Sequence, residues 1–550
     1  MRKLPILAAL VFLGLIAGVA RAQDLAATTQ PTDLSGQWRF AMDPSDTGVA
    51  ADWFAHTLPN QIQLPGILQA QGYGDEISTT TPWVAALPRD FRWYLLPQYA
   101  AYTKPGNIKV PYLSQPPRHY LGVAWYQRDI TIPPAWEGMR VHLFLERPRW
   151  ETRVWVDENL IGSNNSLCAP HEYDLGILPV GNHQLTIRAD NRMLLPYRPD
   201  GHSVSDALGA TWNGIAGRIE LSATTPVWIA DAQVFPNVAD KTAMVKIHIG
   251  NLTGQPGSGT LSAGAGIALV NWDASGGDVE LHVPLGDNAQ TWDEFHPALQ
   301  HMSIRLKGGG ADDERDITFG LRQISAVDNK MLLNGREINL RGTHDGGDFP
   351  LTGYPATDVE SWKKIIQLCK DYGLNSMRFH SWCPPDAAFT AADELGFYLQ
   401  PECGMWNSFN VGSPISLMLE KETARIMKAY GNHPSFLLLS PSNEPAGNWQ
   451  PVLEPWAAEW FKKDPRRLYA ANTGRSNPAE VGPQYAIAPI RSTRGWFGGD
   501  FRDAVANAHM PVISHEVGQW CAYPDFGVIN EFSGYLQPGN YEIFRDSAQA

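Results

Sequence analysis

Cysteine is scarce in this chain, which contains five among 550 residues. A sparse and odd number excludes a small scaffold held together by disulfides. Cys369 lies in a predicted helix, where we expect a buried thiol. Cys383, Cys403 and Cys521 each follow a predicted strand, so a disulfide among these three stays open, although free thiols are favoured. No group of cysteines and histidines has the spacing of zinc ligands, and no metal site is predicted.

The sequence also lacks low-complexity tracts, internal repeats and an excess of basic residues. It contains 43 Lys and Arg against 57 Asp and Glu, which gives a net charge of −14. The absence of low-complexity tracts and of internal repeats excludes disordered and repeat architectures. A nucleic acid is not an expected partner, because it favours a basic surface. A highly anionic polymer is weakly disfavoured as well, unless a local basic pocket receives it.

Long apolar runs are absent except at the N-terminus. A basic start at residues 1–3 precedes apolar residues 4–19, and a small-residue cleavage site ends at Ala22. The run is short for a membrane span. We therefore expect a signal peptide over residues 1–22 that is removed near Ala22, rather than a retained anchor. The expected mature protein is exported, periplasmic or extracellular, and is not bound to a membrane.

With 550 residues the whole chain is long enough for about three domains. Alternating patterns fill its first part. Residues 33–221 alternate apolar with polar side chains in short runs broken by Gly, Pro, Asn and Asp. A period of two predicts half-buried antiparallel strands. We predict a jelly-roll β-sandwich over residues 23–224. A second set of glycine-rich runs predicts an immunoglobulin-like β-sandwich over residues 225–325, which carries no chemical motif.

After Ile324 strands alternate with helices, which is typical of parallel β/α units. The clearest helix has Thr357 or Asp358 as its N-cap and stops at Gly373. We predict a (β/α)₈ TIM barrel over residues 326–550, with its active site after the strands. Residues 534–550 resemble neither a clear eighth strand nor its helix. The expectation is a barrel without its last β/α unit, in a fragment of a longer protein.

Two glutamates end different apolar runs of the predicted barrel. Glu444 follows Asn443 at the end of the fourth strand, and Glu516 ends the seventh. Glycoside hydrolysis needs two carboxyl groups that flank one bond, and two such glutamates can face each other across a barrel. We predict that one protonates the leaving oxygen while the other attacks the anomeric carbon. A separation of about 5–5.5 Å indicates a retaining enzyme, and one above about 6.5 Å favours the inverting alternative.

Five segments of the chain are distinctive: SGQW (35–38), AWYQRDITIP (124–133), WNGIAGRIEL (212–221), LLNGREINLRGTH (332–344) and, most specifically, GNHPSFLLLSPSNEP (431–445). Through these segments the chain resembles glycoside hydrolase family 2, which includes β-galactosidases, β-glucuronidases and β-mannosidases. The resemblance covers nearly the whole mature chain and implies the order jelly roll, immunoglobulin-like domain, barrel. It also implies that Glu444 is the acid/base, that Glu516 is the nucleophile, and that Asn443 binds the sugar 2-hydroxyl.

Further substrate-binding residues are implied at the strand ends. Arg378, on the second strand, matches the family's arginine near the nucleophile, and a barrel salt bridge is its alternative role. His515 precedes Glu516, and strand alternation directs its side chain the opposite way, so we predict packing there. The other candidates follow the first three strands, and each has loop packing as an alternative: His344, Asp345, His380, Trp382, Glu402 and Trp406.

The predicted function is that of a retaining exo-β-glycosidase that removes terminal β-linked sugars from oligo- or polysaccharides. A β-galactosidase is the first candidate. A β-glucuronidase, a β-mannosidase and a carbohydrate-binding protein without catalysis are the alternatives. The segments SPSNE (440–444) and PECGMW (401–406) differ from the commonest family patterns, so the sugar stays open. No cofactor is required, because side chains supply the chemistry. A structural Ca²⁺ or Na⁺ and the oligomeric state stay open.

Overall fold

The computed structural model describes residues 30–85, 92–112, 115–208, 211–474, 482–487, 506, 508–516 and 524–550. The predicted signal peptide, with its cleavage site near Ala22, lies outside these residues, as does Cys521. Within the described ranges, none of the helices combines the length and the apolar character needed to cross a membrane.

The alternating runs of the first region form strands, because successive residues of a strand point to opposite faces. In the run from Arg140 to Arg149, Val141, Leu143 and Leu145 are fully buried while the residues between them are partly exposed. The strands are β1 (Thr32–Asp33), β2 (Gly36–Asp43), β3 (Asn60–Leu64), β4 (Gly66–Ile67), β5 (Asp75–Glu76), β6 (Arg118–His119), β7 (Val123–Ile132), β8 (Arg140–Arg149), β9 (Glu151–Val156), β10 (Asn159–Asn164), β11 (His171–Ile177), β12 (Gly181–Asp190) and β13 (Gly214–Thr224).

Eleven of these strands build two sheets that share one core, whereas β5 and β6 pair with each other. One sheet has the order β1-β13-β8-β11, with β4 paired to β13, and the other has the order β10-β9-β12-β7-β2-β3. Trp38, Tyr126 and Ile187 are among the buried residues between them. Burial of each large apolar side chain stabilises the fold by about 1.5–3 kcal/mol, so this common core holds the two sheets together.

A second region forms one seven-stranded sheet with its own core, which includes Ile229, Val245 and Ile304. The strand order is β17-β16-β19-β20-β14-β15-β18. It contacts the third region where Val234 N donates to Asn432 Oδ1 (2.8 Å). The strands are β14 (Val227–Asn237), β15 (Thr242–Asn251), β16 (Gly257–Ala263), β17 (Gly266–Trp272), β18 (Gly277–Pro284), β19 (Leu299–Gly308) and β20 (Ala311–Gly320).

The third region alternates strands with helices. Its strands are β21 (Ile324–Val327), β22 (Lys330–Leu333), β23 (Arg336–Ile338), β24 (Gly342–Asp345), β25 (Ser376–Phe379), β26 (Tyr398–Gln400), β27 (Ser408–Phe409), β28 (Leu438–Leu439), β29 (Ala446–Gly447), β30 (Leu468–Tyr469), β31 (Ala486–Ile487) and β32 (Val512–Ile513). Its α-helices are α1 (Val359–Asp371), α2 (Asp386–Leu395), α3 (Pro414–Tyr430), α4 (Gln450–Lys463) and α5 (Gly539–Gln549).

Parallel pairing brings the ends of these strands together. β24, β25 and β26 pair in parallel, as do β28 with β30 and β31 with β32. Parallel bridges from Glu402 to Ser440 and from Asn443 to Thr473 continue the pairing past the strand ends. Parallel strands carry their carboxyl ends on one edge, and ligands of α/β sheets bind outside that edge. The residues that follow the strands therefore meet in one place.

The helix predicted after Thr357 or Asp358 is confirmed as α1. Asp358 is the N-cap and accepts a hydrogen bond from Ser361 N (2.8 Å), which satisfies one of the free donors of the first turn. Gly373 follows the helix with a φ of 76°, a left-handed conformation that glycine adopts without strain.

The end of the chain forms α5, which the sequence analysis did not predict, because residues 534–550 resembled neither a clear eighth barrel strand nor the helix of that unit. Two of its side chains bind the first region. Glu542 pairs with Lys109 Nζ (2.9 Å), and Asp546 accepts a hydrogen bond from Tyr102 (2.7 Å). These partners are distant in sequence, so the local pattern does not reveal the contacts that stabilise the helix.

The cysteines of the described residues, which are Cys168, Cys369, Cys383 and Cys403, are free thiols. A disulfide between Cys383 and Cys403 is therefore absent. Cys369 lies in α1 as predicted, but it is half-buried rather than buried.

Candidate active site

Arg378, at the end of β25, lies at the centre of the candidate site. It is only 4% exposed, and its guanidinium contacts residues that follow four other strands. These contacts are Nε to Glu402 Oε1 (2.8 Å), Nη2 to Asn443 Oδ1 (2.7 Å) and to Thr473 Oγ1 (2.9 Å), and Nη1 to Glu516 Oε1 (3.5 Å). Because a guanidinium holds its donors in a rigid fork, one side chain fixes the relative positions of four others.

Glu402 is fully buried, and its carboxylate binds Arg378 instead of facing an open pocket. Besides Arg378, its carboxylate accepts hydrogen bonds from Ser381 N (2.6 Å) and Thr473 Oγ1 (2.9 Å). A buried charge needs such compensation, because desolvation costs several kcal/mol. For Glu402 the sequence left a substrate contact and a packing role open. Its full burial favours the packing role, and the substrate contact stays a prediction.

Asn443 and Glu444 follow β28, as predicted. Asn443 is fully buried, and in the described part of the chain its Nδ2 has no hydrogen-bond partner. Glu444 N donates to Thr473 O (2.7 Å), and its φ of 27° is one that L residues rarely adopt. A Cβ on Gly474 would approach Glu444 Cγ to 2.8 Å, so a glycine is needed there. The backbone thus holds Glu444 in one place beside the Arg378 cluster.

Glu516 reaches the same cluster from β32. Its Oε1 lies 3.5 Å from Arg378 Nη1 and 3.5 Å from His380 Nε2, and its side chain is 11% exposed. A guanidinium beside a carboxylate orients it and favours its charged form. Two roles were expected for Arg378, a place near Glu516 and a salt bridge within the barrel. Arg378 makes both contacts, because it also pairs with Glu402.

His202, in the loop between β12 and β13 of the first region, also contacts the site. Its Nδ1 lies 3.2 Å from His380 Nδ1, and its backbone N–H donates to Ser381 Oγ (2.8 Å). Burial and the neighbouring His380 and His344 lower the pKa of His202 to about 2, so this ring is neutral. Sequence reasoning missed His202, because its loop carries no motif and only the folded chain brings it here.

His344 and Asp345 end β24, on the His380 side of the site. The rings of His344 and His380 are 5.6 Å apart, and desolvation together with the charge of Arg378 lowers the pKa of His344. Asp345 Oδ1 accepts a hydrogen bond from Gly347 N (2.7 Å). Burial raises the pKa of the Asp345 carboxyl to about 6. Both residues stay predicted substrate contacts.

The two predicted tryptophans lie in different surroundings. Trp382 is 4% exposed, packs edge-on against Phe349 and Phe379, and donates Nε1 to Asp345 O (3.0 Å). Its surroundings are those of a packing residue, which was the alternative role.

Trp406 is half-buried, and its ring lies 5.4 Å from that of His380. The Arg198 guanidinium lies over the Trp406 ring at 4.4 Å. Among the described residues, no partner binds its Nε1. Trp406 is therefore better placed than Trp382 to contact a ligand.

Two further residues complete the arrangement. His515 Nε2 lies 3.0 Å from Gln400 Oε1, and His515 lines an internal cavity together with Arg378 and His344; packing stays its predicted role. Thr473 was missed by the sequence analysis, although it follows β30 just as Asn443 follows β28. The rule that polar residues after barrel strands form the site applies to Thr473 as well.

Comparisons with known proteins extend this picture, although no family model matches the chain. The chain is 24% identical to the β-glucuronidase of Felis catus over 423 residues, which cover 69% of this chain and 64% of that protein. It is 23% identical to the β-galactosidase of Thermoanaerobacter pseudethanolicus over 342 residues, which cover 58% and 45%. A solved structure, the glycoside hydrolase family 2 β-galacturonidase from Eisenbergiella tayi bound to galacturonate, matches with a TM-score of 0.68. This match has 18% identity and covers 90% of this chain and 83% of that one.

These similarities confirm the predicted resemblance to glycoside hydrolase family 2. The solved structure confirms a multidomain fold that is rich in β-strands. The chain spans less than two thirds of the length of the two curated relatives.

Proposed function

We propose that the chain is a retaining exo-β-glycosidase in which Glu516 is the nucleophile and Glu444 the acid/base. The observation that carries the proposal is the contact of Arg378 with both Asn443 (2.7 Å) and Glu516 (3.5 Å). It brings the Asn443–Glu444 pair and Glu516, which are distant in sequence, to one edge of the parallel strands. Two carboxyl groups flanking one bond are what glycoside hydrolysis through a covalent intermediate requires.

In the proposed reaction, Glu444 protonates the glycosidic oxygen while Glu516 attacks the anomeric carbon. The bond to the leaving group breaks as a glycosyl ester of Glu516 forms. Glu444 then takes a proton from a water molecule, which attacks the same carbon. The ester bond to Glu516 breaks, which restores its carboxylate and releases the sugar with retained configuration. Arg378 and His380 orient the Glu516 carboxylate, and Asn443 Nδ2 is placed to donate to the sugar 2-hydroxyl.

The proposed substrate is a terminal β-linked sugar of an oligo- or polysaccharide, with a β-galactoside as the first candidate. A β-glucuronide or a β-mannoside is the alternative substrate for the same chemistry. The similarity to a β-glucuronidase supports the β-glucuronide. Trp406 supports sugar binding, because aromatic faces pack against apolar sugar faces. A binding protein without catalysis is the alternative of another class. It does not need Glu516 beside Arg378.

The finer architecture belongs to the same proposal. Two sheets with one core support a jelly roll over residues 23–224, and the seven-stranded region supports an immunoglobulin-like sandwich over residues 225–325. The parallel strands and helices support a TIM barrel over residues 326–550. Export after cleavage near Ala22 is proposed from the N-terminal sequence alone.

A panel of 4-nitrophenyl β-glycosides tests the function on the full chain, with β-galactoside, β-glucuronide, β-mannoside and β-arabinoside. We expect hydrolysis of at least one, and a loss of about a thousandfold or more in Glu516→Gln because the nucleophile is removed. Glu459→Gln, at an exposed position of α4, is the matched control and should keep full activity. Activity that persists in Glu516→Gln would overturn the assignment.

A further inference from the structure

His202 and His380 come from different regions of the chain and form a hydrogen-bonded pair of imidazoles. Their Nδ1 atoms lie 3.2 Å apart, and their ring centres lie 4.1 Å apart. His202 lies in the loop between β12 and β13, whereas His380 directly follows β25. A hydrogen bond between two imidazole nitrogens needs one protonated and one free nitrogen, so each ring constrains the protonation of the other.

The second nitrogen of His380 faces the proposed nucleophile. His380 Nε2 lies 3.5 Å from Glu516 Oε1. An ionised carboxylate accepts hydrogen bonds and donates none, so this contact is favourable only when Nε2 carries a hydrogen. The hydrogen bond at one imidazole nitrogen sets the orientation of the ring and the proton on the other nitrogen. The contact of His202 with His380 Nδ1 therefore bears on Glu516 through a single ring.

His202 is suited to such a contact because it stays neutral. Burial, followed by the charges of His380, His344 and Arg378, lowers the pKa of His202 to about 2. A neutral imidazole has one N–H and one free nitrogen. It can pair with His380 without adding a positive charge beside Arg378.

Contacts between the first and third regions fix the place of His202. Its backbone N–H donates to Ser381 Oγ (2.8 Å), and the next residue, Ser203, donates its Oγ to Gly404 O (2.6 Å). On another side, a Cβ on Gly346 would approach His202 Nδ1 to 3.1 Å, which leaves little space for the ring to move. The loop thus holds the His202 ring against His380.

We propose that His202 is a positioning residue for the nucleophile, because its hydrogen bond to His380 Nδ1 keeps the Nε2–H of His380 directed at Glu516. The proposal rests on the glycosidase function above and adds a contribution of the first region to the reaction. A donor beside a carboxylate orients it and favours its charged form. The nucleophile must be ionised to attack the anomeric carbon, so losing this donor should make Glu516 a poorer nucleophile.

Steady-state kinetics of the full chain across the pH range in which it stays folded tests the proposal, with the nitrophenyl glycoside that the panel identifies. The acidic limb of the profile reports the ionisation of the nucleophile. The other charged and titratable groups around Glu516, either in contact with it or through Arg378, are kept in every His202 variant: Arg378, His380, His344, His515 and Glu402.

His202→Phe keeps a ring of similar size but removes the hydrogen bond. We expect kcat to fall about tenfold with little change in KM, as the loss of one hydrogen bond to a charged site predicts. The acidic limb should move to higher pH by about half a unit or more. His202→Asn can place an amide group near the position of Nδ1 and should recover much of both effects. His282→Phe makes the same substitution at an exposed position of β18 and should behave as the wild type does.

Circular dichroism checks the folding of each variant, and His202→Ala replaces His202→Phe in the comparison with His202→Asn if the larger ring prevents folding. A role in packing alone would leave the acidic limb in place and give no advantage to Asn. A wild-type pH profile in the folded variant without the hydrogen bond therefore overturns the proposal.

Long-range ¹H–¹⁵N spectra of the full chain labelled with ¹⁵N-histidine test the same contact without catalysis. The signals of His380 are assigned by their absence in His380→Gln. We expect a protonated Nε2 on His380 in the wild type, and a free Nε2 overturns the proposal.

The positioning role and the glycosidase function fail in different ways. Hydrolysis by the wild type with no effect of His202→Phe would remove the positioning role and leave the function. A wild type that hydrolyses no β-glycoside would remove both.

Discussion

Replacing Glu402 with Gln tests whether this residue positions Arg378 or touches substrate. Gln keeps the shape of the side chain but removes its charge. Its amide NH₂ must face a donor, either Arg378 Nε or Ser381 N, which now lie 2.8 and 2.6 Å from the carboxylate. Breaking a buried ion pair costs about 3–5 kcal/mol, because the partner charge stays buried. Glu516 lies 3.5 Å from the same guanidinium and compensates in part, so we expect a loss of about 3 kcal/mol.

Urea unfolding followed by tryptophan fluorescence measures this loss. Glu360→Gln is the control, because its side chain is 75% exposed and pairs with Lys363 at the surface. Such a pair contributes less than about 1 kcal/mol. A substrate contact at Glu402 would instead raise KM and leave the free energy of unfolding nearly unchanged. That result in Glu402→Gln would refute the positioning role.

Two pH-dependent predictions follow from other carboxyl and imidazole groups. Burial raises the pKa of Asp345 to about 6, so stability should fall by at most about 3 kcal/mol as pH rises from about 4 to above 6. Asp345→Asn keeps the acceptor for Gly347 N and should abolish this decline in urea unfolding, and an unchanged pH slope would contradict the reasoning. Burial lowers the pKa of His433, but two carboxylates outweigh this effect and raise the pKa to about 10. These are Asp393, whose Oδ2 lies 2.6 Å from His433 Nδ1, and Asp386, whose Oδ1 lies 3.2 Å from His433 Nε2. The stabilisation from His433 should be complete below about pH 6.5 and lost as pH rises through 10. His433→Gln should therefore cost about 3–5 kcal/mol at pH 6 and much less near pH 10, and equal losses at both would count against it.

Much of the fold could be predicted because local patterns and tertiary burial agree. The alternation over residues 33–221 predicted half-buried strands such as β8, and Thr357 or Asp358 was predicted as the start of α1. The exception is α5, whose Glu542 and Asp546 bind Lys109 and Tyr102 in a distant part of the chain. Contacts of that kind leave no periodic signal in the sequence.

The site was partly predictable for a similar reason. Glu444 and Glu516 could be placed together because parallel strands end on one edge, and the family resemblance implied Arg378 beside them. The direction of a side chain at such an end is not visible in the sequence, so a substrate contact and packing both stayed open for Glu402. His202 could not be found at all, since it reaches the site only through the packing of the first region against the third.

The most direct test of the account is to trap the glycosyl–enzyme intermediate. The full chain is treated with a 2-deoxy-2-fluoro β-glycoside of the sugar that the nitrophenyl panel identifies, and its peptides are analysed by mass spectrometry. Double displacement predicts a covalent adduct on the peptide that contains Glu516, and no adduct in Glu516→Gln. An adduct on a different carboxylate, or product of inverted configuration with no adduct, would contradict the central claim.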